Sequence, residues 1–189
     1  MKNEINRIAD RLVKAYNTNT VINPIPVKYC KNINLANKLR KLCENQIKDE
    51  TIGIKAGGTG IQALKKLKEK EPFTAKVFKK RLVKSGQNVK INQHTKGIEV
   101  EVYYFIKKSF FDFKGKVTKS NVTKFIKFMG PCFEIVGFRQ RNKKFTYLGD
   151  ICGDFGFNIR FVVGRKTKFK KLNLNNLKTS LVSKKNGVK

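Results

Sequence analysis

The period of the hydrophobic pattern changes once along this chain, near residue 51, and nothing else in it constrains the fold as strongly. Before that point, residues 3–17 place Ile5, Ile8, Ala9, Leu12, Val13 and Tyr16 at helical spacing with charges opposite. Residues 34–47 repeat the pattern through Leu35, Leu39 and Leu42, after a loop marked by Pro24 and Pro26. Beyond residue 51 the elements are short. ETIGIKAGGTGIQALKKLKEK reads as a strand, a glycine-rich turn and a lysine-rich helix, and short strands are predicted at 76–79, 82–84 and 88–91. The run 98–106 is the strongest strand, and 130–138 and 158–164 are two more. Residues 118–128 read as a capped helix, with Ser120 or Asn121 at the N-cap and Val122, Phe125, Ile126 and Met129 on one face. Helices first and a mixed sheet after make an α+β fold.

A chain of 189 residues with 40% hydrophobic residues and 15 Phe can bury a core, despite a net charge of +30. That charge raises nucleic acid or an anionic membrane surface as a partner. Only eight of the 43 basic residues are Arg, however, and the lysines run the whole length beside abundant Asn, Ile and Phe. That is the signature of an A+T-rich coding bias, so nucleic-acid or polyanion binding is kept as the alternative. Cys30, Cys43, Cys132 and Cys152 show no CxxC or zinc spacing and read as small buried groups. No stretch of about 18 apolar residues calls for a membrane span, and the N-terminus has no apolar signal region. A reducing, cytoplasmic setting is expected.

Two acids interrupt the strongest strand, in GIEVEVYYFI (97–106). Residues i and i+2 of a strand share a face, so Glu99 and Glu101 lie side by side in what reads as an apolar setting. Adjacent carboxylates there need a cation, either lysine ammonium or a divalent metal. Glu134, in PCFEIVGF, adds a third carboxylate between apolar neighbours, a set suited to Mg²⁺ or Mn²⁺. The competing reading is that these glutamates face solvent and pair with lysines. Lys55 alternates with Ile52 and Ile54 at a strand end and is expected to be partly buried. The turn GIKAGGTG lacks the spacing of a phosphate loop. His94 lies in a polar loop and reads as exposed, and no Ser-His-Asp or Cys-His arrangement is recognisable.

These stretches resemble the fumarylacetoacetate hydrolase superfamily, in its 2-oxopent-4-enoate hydratase and oxalocrotonate decarboxylase branch. TIGIKAGGTGIQALKKLKEKEP is similar to a GxKIGLTS…LGVDEP stretch, GIEVEVYYFI to IExEIAFVL, GPCFEIVGFRQR to PALEVVxSR, and YLGDICGDFGFNIRFVVG to xxDxxADNASxxxxVLG. The four fall in the right order over residues 51–164. The resemblance implies N-terminal helices packed on a mixed β-roll or barrel of the family's C-terminal-domain type. It divides the chain into a helical region (1–50), a catalytic mixed-sheet domain (51–164) and a basic segment (165–189) that starts a shortened continuation. Relatives extend for several dozen residues beyond the point where this chain reads NGVK, so a truncated, incomplete roll is expected.

The resemblance also implies roles. Glu99, Glu101 and Glu134 hold Mg²⁺ or Mn²⁺, Lys55 and Asp154 are catalytic, and Arg139, Phe155 and Phe157 bind substrate. The implied activity is a hydratase-like lyase on a 2-oxo (2-hydroxydienoic) acid through a stabilised enolate, or a decarboxylase of the same family. A small-molecule 2-oxo acid and a second copy of the chain, in a homo-oligomer, are the implied partners. The family's ADNAS becomes Gly153-Asp154-Phe155-Gly156-Phe157 here, and Phe73 follows Pro72 where many hydratases carry an acid. Both changes imply a more apolar pocket.

Overall fold

A computed structural model describes residues 3–91, 94–171, 178 and 180. Most of the basic segment 165–189 therefore lies outside the described residues.

The helical half follows the sequence closely. Helix α1 (Glu4–Thr18) starts where the Asn3 side chain accepts from the Asn6 N–H, and it buries Ile5, Ile8, Ala9, Leu12, Val13 and Tyr16. A single turn, α2 (Lys28–Lys31), leads into α3 (Ile33–Gln46), whose N-cap Asn32 accepts from Asn34 and Leu35 N–H. Leu12 and Leu39 are fully buried in the shared core, which also takes in Phe78 and Phe155 from the later part of the chain. That shared packing ties the helices to the sheet region through apolar burial.

Strand β1 (Thr51–Gly57) and strand β2 (Phe73–Phe78) form an antiparallel hairpin joined through helix α4 (Ile61–Lys66). A second sheet of five strands contains β3 (Leu82–Lys84), β4 (Thr95–Ile106), β5 (Ile126–Gly137), β6 (Asn158–Val163) and β7 (Thr167–Lys168). Its order is β3-β6-β5-β4, with β7 also on β5; β3 and β6 are parallel and the other pairings antiparallel. Helix α5 (Leu148–Cys152) sits between β5 and β6 and packs on α2 and α3. Among the described residues no helix is long and apolar enough to cross a membrane.

Three expectations are corrected. Residues 118–128 form no α-helix: a single 3₁₀ turn, Val122–Phe125, gives way to β5 at Ile126. Val122, Thr123, Phe125 and Ile126 all favour extended backbone, and pairing with β4 wins over local helical periodicity. Residues 88–91 are irregular. Strand β4 is not buried: Ile98, Val100, Tyr104 and Phe105 are all exposed, because it is an edge strand with β5 as its only partner among the described residues.

Candidate metal and lysine site

The carboxylates meet because of strand register. Glu99 lies directly opposite Glu134 across the β4–β5 pair, and Glu101 lies opposite Cys132 on the same face. Each of Glu99, Glu101 and Glu134 offers one carboxylate oxygen within 4.8 Å of the others. The setting differs from the apolar one expected for all three. Glu99 and Glu101 are exposed, while Glu134 is 2% exposed, beneath Lys55 of β1, which also reaches the Gly156 carbonyl. Of the two compensations that the sequence left open, a lysine is present, and the three carboxylates are also close enough together to hold a metal ion.

That lysine is Lys55. On β1 the apolar pattern is inverted: Ile52 and Ile54 face solvent, and Gly53, Lys55 and Gly57 face inward. Lys55 Nζ donates to Glu134 Oε1 at 2.5 Å and Oε2 at 2.7 Å, and to the Gly156 carbonyl at 3.0 Å. Its side chain is 10% exposed, as its alternation with the isoleucines predicts. One ammonium therefore pairs with Glu134, in a cluster of three carboxylates. Burial pushes the Glu134 carboxyl up to about 7; Lys55 opposes that rise, while Glu99 and Glu101 add to it. Glu101 is also raised, first by partial loss of water and then by the charge of Glu99, with Lys55 acting the other way. Cys132, beside the cluster, has its thiol raised to about 11 by burial and by Glu134 and Glu101.

The Gly156 carbonyl belongs to the 154–157 turn, in which the sequence pointed to Asp154, Phe155 and Phe157 but not to this carbonyl. Phe155, Gly156 and Phe157 have φ of 53°, 65° and 71°, three successive residues in the left-handed region. For two phenylalanines this is strained and must be imposed from outside. Asp154, with 0% exposure, supplies the restraint. Its carboxylate accepts from Arg139 N–H at 2.8 Å, Arg139 Nη1 at 3.2 Å and Gln140 Nε2 at 3.1 Å. Asn158 Nδ2 donates to the Phe155 carbonyl, and Arg139 Nη2 donates to the Asn158 carbonyl. At Gly156 an added Cβ would come within 2.6 Å of the Ala75 Cβ, so the turn can approach β2 only with glycine there. The D-F-G-F run was the available signal, a glycine set between two bulky residues.

The predicted site residues thus fall into two layers. Lys55, Glu99, Glu101 and Glu134 are brought together. Asp154 and Arg139 pair with one another in the core, where the Arg139 guanidinium lies 4.8 Å from the centre of the Tyr16 ring and 5.0 Å from that of Phe155. Phe155 is 1% exposed and packs on Tyr16 at 4.4 Å, whereas Phe157 is half-buried against Phe138. His94, expected in an exposed loop, is half-buried at the start of β4, and burial lowers its pKa. All four cysteines are buried free thiols.

Known proteins with this fold are found through structure. Two solved structures of 4-oxalocrotonate decarboxylase from Pseudomonas putida G7 match with TM-scores of 0.68 and 0.71, each at 16% sequence identity and over 87% of this chain. The chain shares their fold. One is complexed with magnesium and adipate, the other with calcium and acetate. The architecture is the expected fumarylacetoacetate hydrolase C-terminal-domain type, and the chain spans 64% and 63% of the length of that protein in the two structures, just under two thirds. No protein-family model and no curated protein sequence matches the chain.

Proposed function

We propose that the chain is a divalent-metal-dependent lyase of the fumarylacetoacetate hydrolase superfamily, hydratase-like, acting on a 2-oxo (2-hydroxydienoic) acid. One observation carries this reading: three carboxylates lie within 4.8 Å of one another, and one of them, Glu134, is ion-paired with a buried lysine. An all-oxygen set with an excess of negative charge suits Mg²⁺ or Mn²⁺, with Glu99, Glu101 and Glu134 as the residues that hold it. When bound, the ion supplies Lewis acidity at the substrate's carboxylate and 2-oxo oxygens.

The chain's own residues do the rest. Lys55 releases one of its bonds to Glu134 and turns that N–H to the enol or keto oxygen, where it stabilises developing negative charge. The Gly156 carbonyl keeps the ammonium aimed meanwhile. Asp154 and Arg139 act from behind, by holding the 154–157 turn in its strained form. Phe155 completes the wall behind them, and Phe157 is the residue we assign to the substrate's apolar part.

Decarboxylation of a vinylogous β-keto acid needs the same enolate stabilisation, and the name of the protein whose two structures share the fold favours that second reading. An assay with Mn²⁺ separates the two: hydration consumes the absorbance of a 2-hydroxydienoate without releasing CO₂, and decarboxylation of a 2-oxo diacid releases CO₂. Buried free thiols suit a reducing compartment, so we place the enzyme in the cytoplasm, as a homo-oligomer whose size light scattering would give. The site assignment is tested by the melting temperature. Mg²⁺ or Mn²⁺ is expected to raise it in the unaltered chain but not in Glu99→Ala, and an equal rise in both ends the assignment.

A further inference from the structure

A cleft of about 600 Å³ opens between α3 and the start of β2, within the size range of small-molecule sites. We propose that it binds a small organic anion, with a carboxylate or phosphate set against its cations and a flat apolar body against its wall. Lys38, Arg40 and Lys41 line it together with the amides of Asn34, Asn37 and Asn45, and no acid is among the lining residues. Residues 34, 37, 38, 41 and 45 follow the i, i+3, i+4, i+7, i+11 pattern, so one whole face of α3 is turned to the cleft. The opposite face, Ala36, Leu39 and Cys43, is in the core.

Arg40 points to an anion independently. It is 6% exposed, and its Nη1 donates to Glu44 Oε2 at 2.6 Å and its Nη2 to Asn37 Oδ1 at 3.1 Å, while Nε–H has no partner. The other Glu44 oxygen accepts from Lys76 N–H at 2.8 Å. The guanidinium also interacts with the Cys152 thiol, and its Nε–H is left without an oxygen acceptor in a residue that lines a cation-rich cleft. Pro72 and Phe73 form the apolar wall, which favours an organic anion over an inorganic one. None of the carboxylate-cluster residues lines this cleft, so the inference stands apart from the proposed lyase activity.

Calorimetric titration of the full chain at physiological salt tests it, with phenyl phosphate and inorganic phosphate as probes. Phenyl phosphate is expected to saturate one site at least about tenfold more tightly than phosphate. The double variant Lys38→Gln/Lys41→Gln, at two exposed positions, should weaken it about tenfold or more. The control Lys114→Gln/Lys116→Gln, also exposed, and Glu99→Gln should leave it unchanged. Equal affinity for both probes, equal weakening by the two double variants, or no binding of phenyl phosphate would each overturn the inference. Loss in Glu99→Gln alone would overturn it too, by moving the ligand to the carboxylate cluster.

Discussion

Four carboxylates are buried among the described residues, and they divide into two kinds. Three of them, two in and after α5 and one in α3, each have a cation and backbone donors. Asp154 has Arg139, Asp150 has Lys143 with Thr146 and Tyr147 N–H, and Glu44 has Arg40 with Lys76 N–H. Glu134, in the sheet, has Lys55 but also two further carboxylates. Similar burial gives opposite results. Burial pulls the Asp150 carboxyl up, yet Lys143 and the two backbone donors outweigh it and hold the pKa below the usual range. Glu134 ends near 7. The closed pairs specify the fold, and the open cluster, charge-unbalanced in a chain of net charge +30, is where a ligand cation would lower the energy.

Breaking a closed pair should have the largest effect. Asp154→Ala leaves Arg139 buried without its counter-charge and frees the strained turn; a loss of about 3–5 kcal/mol is expected in urea unfolding, with or without divalent ion. Lys55→Met should cost less, about 1–3 kcal/mol, because Glu134 can take up a proton in its place. Saturating Mg²⁺ should recover most of that loss, and no divalent ion should recover Asp154→Ala.

The pH dependence of the open cluster has a definite sign. The folded pKa of Glu134 lies above its unfolded value, so its contribution is fully present below the ordinary carboxylate range and is lost as pH rises through about 7. Without divalent ion, the melting temperature of the unaltered chain should therefore fall between about pH 5 and pH 8 more than that of Glu134→Gln. Asp150 runs the other way, with its stabilisation present above the ordinary carboxylate range and lost only in stronger acid. The smallest effect is expected from Glu99→Gln. Relief of a like-charge cross-strand pair should stabilise the ion-free chain by roughly 0.2–1 kcal/mol while removing the response to metal.

The open cluster was more legible in the sequence than the layer behind it. Glu99 and Glu101 share a face by the two-residue period, and Lys55 points inward because its isoleucine neighbours point out. Their convergence on Glu134 depends on register, which no local pattern gives, and here the resemblance supplied it. The positions of Arg139 and Phe155 were not readable, since a buried arginine with stacked rings looks in sequence like a polar residue beside a loop. Residues 118–128 misled for a related reason: helical spacing was present, but the long-range partner β4 decided the backbone. The α3 cleft carried no motif at all; only the packing of α3 against Phe73 makes a polar helix face concave.

Calorimetric titration of Mn²⁺ into the unaltered chain and Glu134→Gln is the most direct test of the central claim. Glu134 joins the two strands, the lysine and the carboxylates in one place. One saturable site is expected in the unaltered chain, weakened at least about tenfold by Glu134→Gln while the fold is retained. Equal Mn²⁺ binding by the two proteins would contradict the account, and would leave Glu134 as a buried partner of Lys55 beside two exposed glutamates.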